Sequence, residues 1–200
     1  QNIWGGGYDD DYSAFSTEIV DGQEVLVWPA WMLDQWGGRM DGRPIKYEYA
    51  PEFGIVPYSP QPADNIENFY RTGTTFTNTV AIGGANDKSS FRLSFSDLRN
   101  ESIVPNSTLD RQSINLRASQ QVSDKLFVDG KITYTRQEGN NRQQNGISFT
   151  SLQSSLEVFP RSVDLEWLRD HKTAGGLMRN FKSGSPYNPF WLVNEFKNND

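Results

Sequence analysis

Cysteine is absent from the 200 residues. That removes disulfide scaffolds, thiolate-held zinc and cysteine nucleophiles together, and it leaves the redox compartment open. Histidine occurs once, at His171, so a site built on several imidazoles is excluded. Long apolar runs are missing too. The longest, Val25–Leu33, has nine residues and contains Pro29, against roughly 20 for a spanning helix. Positive charge is in short supply: 19 Lys and Arg stand against 25 Asp and Glu, a formal charge of -6. A broad basic footprint for a phosphate backbone is therefore missing, which argues against nucleic acid as a partner.

What is present divides into three stretches. Residues 1–73 show no sustained period and are punctuated by Gly5-Gly6-Gly7, Asp21-Gly22, Gly37-Gly38, Asp41-Gly42 and Ser59-Pro60-Gln61-Pro62. Trp4, Trp28, Trp31, Trp36, Phe53 and Tyr58 are too many aromatics for a solvated tail, so an ordered loop region with short extended pieces is expected. Residues 74–136 alternate with period 2. Residues 137–200 revert to mixed character, with Ser162 placed to cap a short helix over Val163–Asp170 and Leu165 and Leu168 on one face of it. A further strand near 146–160 is left open. The chain starts at Gln1 without a leader and stops in the polar run Lys197-Asn198-Asn199-Asp200, and it reads as a segment of something longer.

The middle stretch predicts four antiparallel strands with unlike faces. Phe91, Leu93 and Phe95 oppose Arg92, Ser94 and Ser96; Ile114, Leu116 and Ala118 oppose Asn115, Arg117 and Ser119. Leu126, Val128, Ile132 and Tyr134 oppose Asp129, Lys131 and Thr133, with Phe127 breaking the pattern at one end. A less regular strand covers Thr75–Gly83, where Val80 and Ile82 are apolar but Asn78 shares their parity. The connections Gly84–Lys88 and Val122–Lys125 are short, whereas Leu98–Asp110 and Gln137–Asn145 are longer. Short turns at one end and long loops at the other are the asymmetry of outer-membrane barrels.

Alternation alone fits a soluble sandwich equally well. Strand length favours the membrane, since Ser113–Gln121 and Leu126–Arg136 match the roughly 9 to 11 residues of a tilted spanning strand rather than the soluble average of about 5 to 6. The expectation is then an all-β fold, an arc of a large antiparallel transmembrane barrel, because four strands cannot close and even small barrels need about eight. Phe91, Leu93, Phe95, Ile114, Leu116, Val128, Ile132 and Tyr134 would face outer-membrane lipid, and Arg92, Asn115, Arg117, Asp129, Lys131 and Thr133 the lumen.

Several strings follow one another in a familiar order. They are Trp36-Gly37-Gly38-Arg39-Met40-Asp41-Gly42, Tyr58–Pro62, Asn68-Phe69-Tyr70-Arg71-Thr72-Gly73, Thr77–Lys88, Phe91–Phe95 and Ile103-Val104-Pro105-Asn106-Ser107. Farther on come Phe159-Pro160-Arg161-Ser162-Val163-Asp164-Leu165 and Asn188-Pro189-Phe190-Trp191. In this the chain resembles the SusC/RagA-like TonB-dependent transporters of Bacteroidetes outer membranes. The resemblance implies a barrel of about 22 strands with a plugged lumen, energised through TonB and covered by a SusD-like surface lipoprotein. Plug and TonB-contacting segment match nothing here and would precede Gln1. Under that reading the short turns are periplasmic, residues 1–73, 98–110 and most of 137–200 lie on the extracellular side, and the cargo is an oligosaccharide or a peptide.

Candidate chemistry is sparse. Trp28, Trp31, Trp36 and Trp191 are the candidate ligand-stacking residues, since aromatic faces stack on sugar rings, although loop aromatics also serve to pack their own loop. Asp9-Asp10-Asp11 with Glu18, Asp21 and Glu24 supplies oxygen ligands but lacks the spacing of a calcium loop. Glu157 and Asp164 could be cast as a glycosidase pair, yet nothing fixes their separation. No catalytic group, cofactor or metal is expected. The leading expectation is a non-enzymatic importer segment; a secreted carbohydrate-binding β-sandwich is the alternative, and a glycoside hydrolase a weaker third.

Overall fold

The structure is a computed structural model and describes residues 3–29, 34–144, 146, 148, 150–182, 184, 187–196 and 198. It is mostly β and falls into two compact units, Gln1–Tyr70 with Gln143–Phe196, and Arg71–Arg142 with Lys197–Asp200.

The first unit carries a four-stranded mixed sheet, in the order β1 (Ser16–Val20), β2 (Gln23–Trp28), β3 (Pro44–Tyr47) and β4 (Val56–Pro57). The Asp21-Gly22 signal holds. Both residues have positive φ, 50° and 79°, as a two-residue type I′ hairpin requires, and β1 pairs antiparallel with β2 across it. β2 and β3 run parallel. Val25–Trp28 are buried, which makes the apolar run at this point a central strand. Beneath it Phe15, Trp28, Tyr47 and Tyr58 form an aromatic core, with Phe15 and Tyr58 rings 5.6 Å apart and Phe15 and Trp28 also 5.6 Å apart.

The glycine pairs are there for close approach. Gly5 donates to the Gly38 carbonyl (3.1 Å) and Gly37 to that of Gly5 (3.0 Å). A Cβ on Gly37 would lie 2.0 Å from the Gly6 carbonyl oxygen, and one on Gly6 would enter the Trp28 ring at 2.5 Å.

The same unit gathers the later stretch onto this core. Tyr47 donates to the Ser162 hydroxyl (3.1 Å), Asn65 donates to the Val163 carbonyl (2.9 Å), and Leu165 N–H donates back to Asn65 (3.0 Å). The helix expected over Val163–Asp170 is only a 3-10 turn, Leu165–Leu168. Its cap is Asp164, whose carboxylate accepts from Glu166 N–H (2.9 Å), because Ser162 is turned inward to Tyr47. Leu165 and Leu168 are both buried, as their shared face predicts. Residues 152–157 are helical (α1, Leu152–Glu157) rather than extended. The second helix, α2 (Pro189–Glu195), is capped by Asn188.

The second unit is a four-stranded antiparallel sheet, β5 (Thr74–Ala85), β6 (Ser89–Glu101), β7 (Thr108–Ser123) and β8 (Leu126–Asn140), in sequence order. These strands are longer than the period-2 pattern alone indicates. β6 runs to Glu101 and β7 starts at Thr108, so the connection expected over Leu98–Asp110 shrinks to residues 102–107. Arg71 pins that loop, donating to the carbonyls of Ser102 (2.8 Å) and Ser107 (3.2 Å). The opposite connections are the short turns 86–88 and 124–125. A bulge at Gln121/Ser123 interrupts the β7–β8 ladder. The four strands close no barrel: among the described residues the outer edges of β5 and β8 have no strand partner.

Candidate functional site

The register of the long sheet decides what each face carries, because residues directly opposite across antiparallel strands point the same way. One face holds the rows Gly84, Phe91, Ala118, Gly130, then Ile82, Leu93, Leu116, Ile132, then Val80, Phe95, Ile114, Tyr134. All eight side chains expected to be lipid-facing lie here. Phe91, Leu93, Phe95, Ile114, Leu116, Val128, Ile132 and Tyr134 are exposed, Ile132 at 67%. No residue of β5, β6, β7 or β8 is fully buried. Among the described residues of this unit nothing covers the apolar stripe.

Beyond that stripe the same face turns polar. The next rows are Asn78, Asp97, Gln112, Arg136 and then Phe76, Arg99, Asp110, Glu138. Asn78, discordant in the sequence, is thus the first residue past the apolar band. Its row and the next form a shallow charged cleft, with Arg99 3.2 Å from Asp97 and Arg136 paired with Glu138.

The opposite face is mainly polar, although Leu98 and Leu109 lie on it toward the 102–107 loop. Arg92, Asn115, Arg117, Asp129, Lys131 and Thr133, the expected lumen residues, all lie on it. Arg111 belongs there as well; it shares the parity of Asn115 and Arg117, which was the available signal. Hydroxyl and amide side chains pair across the strands: Thr79 with Ser96 (2.9 Å), Ser90 with Ser119 (2.6 Å), Ser113 with Thr135 (3.3 Å), and Thr133 donating to Asn115 (2.9 Å). Phe127 sits on this polar face opposite Gln121, at the turn end, which explains why it broke the alternation.

The candidate tryptophans are not assembled into one platform. Trp28 is a correction: at 1% exposure it offers no face to a ligand, because β2 is the middle of its sheet and the Phe15, Tyr47 and Tyr58 rings enclose it. Trp31 lies outside the described residues. Trp36 is 68% exposed, held by backbone bonds to Gly7 (3.0 Å) and from Asp10 (3.1 Å). Trp191, on α2, is half-buried beneath Lys172, whose Nζ is 5.8 Å from the ring centroid, with His171 at its edge. Among the described residues no ring contact joins Trp28, Trp36 and Trp191.

Several of the remaining candidates are engaged structurally. Asp11 accepts from the Ser13 hydroxyl (2.6 Å) and N–H (2.9 Å), which lowers its pKa. Asp164 caps a turn, and His171 Nε2 lies 3.0 Å from Glu195. Arg43 grips Asp41 through Nε (2.9 Å) and Nη2 (2.6 Å) while stacking 3.8 Å above the Tyr12 ring, and this brings the Asp41 carboxyl down to about 2. Among the described residues no three His, Asp or Glu side chains converge as a metal site.

Comparison with models of protein families and with curated proteins gives no match for this chain.

Proposed function

We propose that the chain is a wall segment of an outer-membrane importer of the SusC/RagA-like, TonB-dependent kind. The observation that carries this reading is a sheet of strands 12 to 16 residues long with an uncovered apolar stripe on one face and a polar, charged opposite face. In water such a sheet has no core to stabilise it, since neither face buries anything. In a bilayer the stripe dissolves in acyl chains and the polar face lines an aqueous passage.

The dimensions are consistent with this. On β8 the stripe runs from Leu126 to Tyr134, eight steps of about 3.4 Å, or roughly 27 Å along the strand. A tilt of about 40° reduces that to about 21 Å, close to the apolar band of about 25 Å in such barrels. A soluble carbohydrate-binding sandwich would lay a second sheet on the stripe, and the unit holds none among the described residues.

In this role the chain carries out no covalent chemistry. Ligand is captured by loops of the first unit, where Trp36 presents an open ring, and a SusD-like lipoprotein lid closes over them. It then passes the polar face as the plug shifts. The cargo is an oligosaccharide, with a peptide as the alternative.

The absence of cysteine makes a clean test possible. Ile132→Cys and Thr133→Cys each give one thiol for a fluorophore in the protein held in lipid vesicles. A nitroxide on the lipid acyl chain is expected to quench the label at 132 and spare that at 133. Equal quenching at the two sites, or quenching at 133 alone, overturns the reading.

A further inference from the structure

The polar face of the long sheet carries Arg92, Arg111, Arg117 and Lys131 against a single carboxylate, Asp129, in a chain whose overall charge is -6. Three of those cations occupy one row. Arg92 lies directly opposite Arg117, and Arg117 directly opposite Lys131, on three consecutive strands. Neighbouring strands are about 4.8 Å apart, and like charges directly opposite one another destabilise a sheet. Asp129 relieves only Arg117, at 3.1 Å. Among the described residues no carboxylate pairs with Arg92 or Lys131.

The surroundings keep this row open. On the β5 side the residue opposite Arg92 is Gly83, flanked on the same face by Ala81 and Ala85, so no side chain shields the guanidinium there. A Cβ on Gly83 would come within 2.9 Å of the Phe91 carbonyl oxygen, so this gap is fixed by the backbone. The rows on either side offer hydroxyl and amide groups, Ser94, Asn115 and Thr133 above and Ser90 and Ser119 below. Two cations without counter-ions, Arg92 and Lys131, flank Arg117 one strand away on either side, and with the bordering hydrogen-bonding groups the row matches a chain of anionic groups joined by hydroxyl-bearing units.

We propose that the Arg92–Arg117–Lys131 row binds carboxylate, sulfate or phosphate groups on the cargo, which makes the imported ligand an anionic oligosaccharide. This rests on the importer reading and specifies its substrate class. Arg92 and Lys131 supply the uncommitted charge, and Arg117 exchanges Asp129 for the ligand as it passes. Because the row is exposed, the attraction is screened by salt.

The test measures equilibrium binding to the protein purified from membranes in detergent. The probes are a short oligogalacturonate, its fully methyl-esterified counterpart, a sulfated oligosaccharide and inorganic phosphate, at low and high salt. At least one acidic oligosaccharide is expected to bind more tightly than the neutral ester and to weaken with salt. Arg92→Gln and Lys131→Gln are each expected to weaken it about tenfold, the worth of one charge-assisted hydrogen bond. Asp129→Asn, which removes the one competing carboxylate, is expected to tighten it.

Equal or tighter binding of the ester overturns the proposal, as does binding of phosphate alone, or of no probe. Unchanged binding in Arg92→Gln and Lys131→Gln with a loss of thermal stability also overturns it, and assigns the row to an acidic polypeptide segment. A misfolded variant leaves Asp129→Asn as the deciding measurement, and no tightening there counts against the proposal. These results leave the importer reading standing, whereas absence of the protein from the outer-membrane fraction defeats that reading itself.

Discussion

Ile132 and Thr133 are consecutive residues whose side chains leave opposite faces of one strand, and arginine at each position separates water from lipid. Ile132 is 67% exposed and sits in the middle of the apolar stripe, in the row of Ile82, Leu93 and Leu116. If water bathes both faces, Ile132→Arg loses one cross-strand apolar pair, about 0.2 to 1 kcal/mol. Thr133→Arg loses the bond to Asn115 (2.9 Å), about 1 kcal/mol. The two variants would then be indistinguishable.

If the stripe faces acyl chains, Ile132→Arg costs a further 2 to 4 kcal/mol or so, while Thr133→Arg is unchanged. A gap of about 3 kcal/mol is roughly a hundredfold in the folding equilibrium. Urea titration of the protein in lipid vesicles reads this as a lower midpoint at constant slope. Equal midpoints for the two variants refute the reasoning, and so does a larger loss for Thr133→Arg.

Other consequences are as direct. Gly37→Ala places a methyl 2.0 Å from the Gly6 carbonyl oxygen, so a loss of about 3 kcal/mol is expected; an unchanged melting temperature would show that the Gly5–Gly7 and Gly37–Gly38 segments part easily. Asn188, fully buried, donates to the carbonyls of Leu168 (2.8 Å) and Arg179 (2.9 Å) and accepts from Phe190 N–H (2.8 Å). Its replacement by Ala combines a lost helix cap with stranded carbonyls and is expected to cost about 2 to 3 kcal/mol in thermal or urea unfolding. Burial raises the pKa of both Tyr47 and Tyr58. The stability this contributes is complete below the unfolded tyrosine value of about 10 and is lost as pH rises past it. Alkaline titration followed by tyrosinate absorbance is expected to show two tyrosines ionising only as the first unit unfolds; their ionisation with the unit still folded would contradict the burial argument.

The sequence made the long sheet legible only where its two faces differ. From Phe91 to Phe95 and from Ile114 to Ala118 every second residue is apolar, and the pairing follows. At Asp97, Arg99, Gln112 and Arg136 the apolar face turns polar while Leu98 and Leu109 fall on the other face, so the alternation breaks while the backbone ladder continues. This is why β6, β7 and β8 outrun their expected ends and why Asn78 seemed misplaced. The first unit was less readable, because its order comes from contacts about a hundred residues apart. Ser162 has the chemistry of a helix cap, but Tyr47 claims it. Trp28 has the neighbourhood of a loop aromatic, but a parallel strand pair encloses it. No local pattern encodes either event. Turn chemistry that needs only two residues, as at Asp21-Gly22, was readable at once.

Charge on the long sheet is sorted by both face and height. On the apolar side Asp97, Arg99, Asp110, Arg136 and Glu138 begin only after the row of Val80, Phe95, Ile114 and Tyr134. On the other side Arg92, Arg117 and Lys131 stand at the height of the stripe itself, one residue along each strand from Phe91 or Leu93, Leu116 and Ile132. Water on both sides would give no reason for cations to populate one face of that band and avoid the other. A wall one strand thick between lipid and water does. The same premise constrains the edges: each unpaired N–H or C=O in hydrocarbon costs several kcal/mol, so the free rims of β5 and β8 require neighbouring strands before the sheet can enter the bilayer. Membrane insertion of residues 71–142 expressed alone is therefore expected to fail, and stable spanning by that piece would remove the physical basis for the barrel.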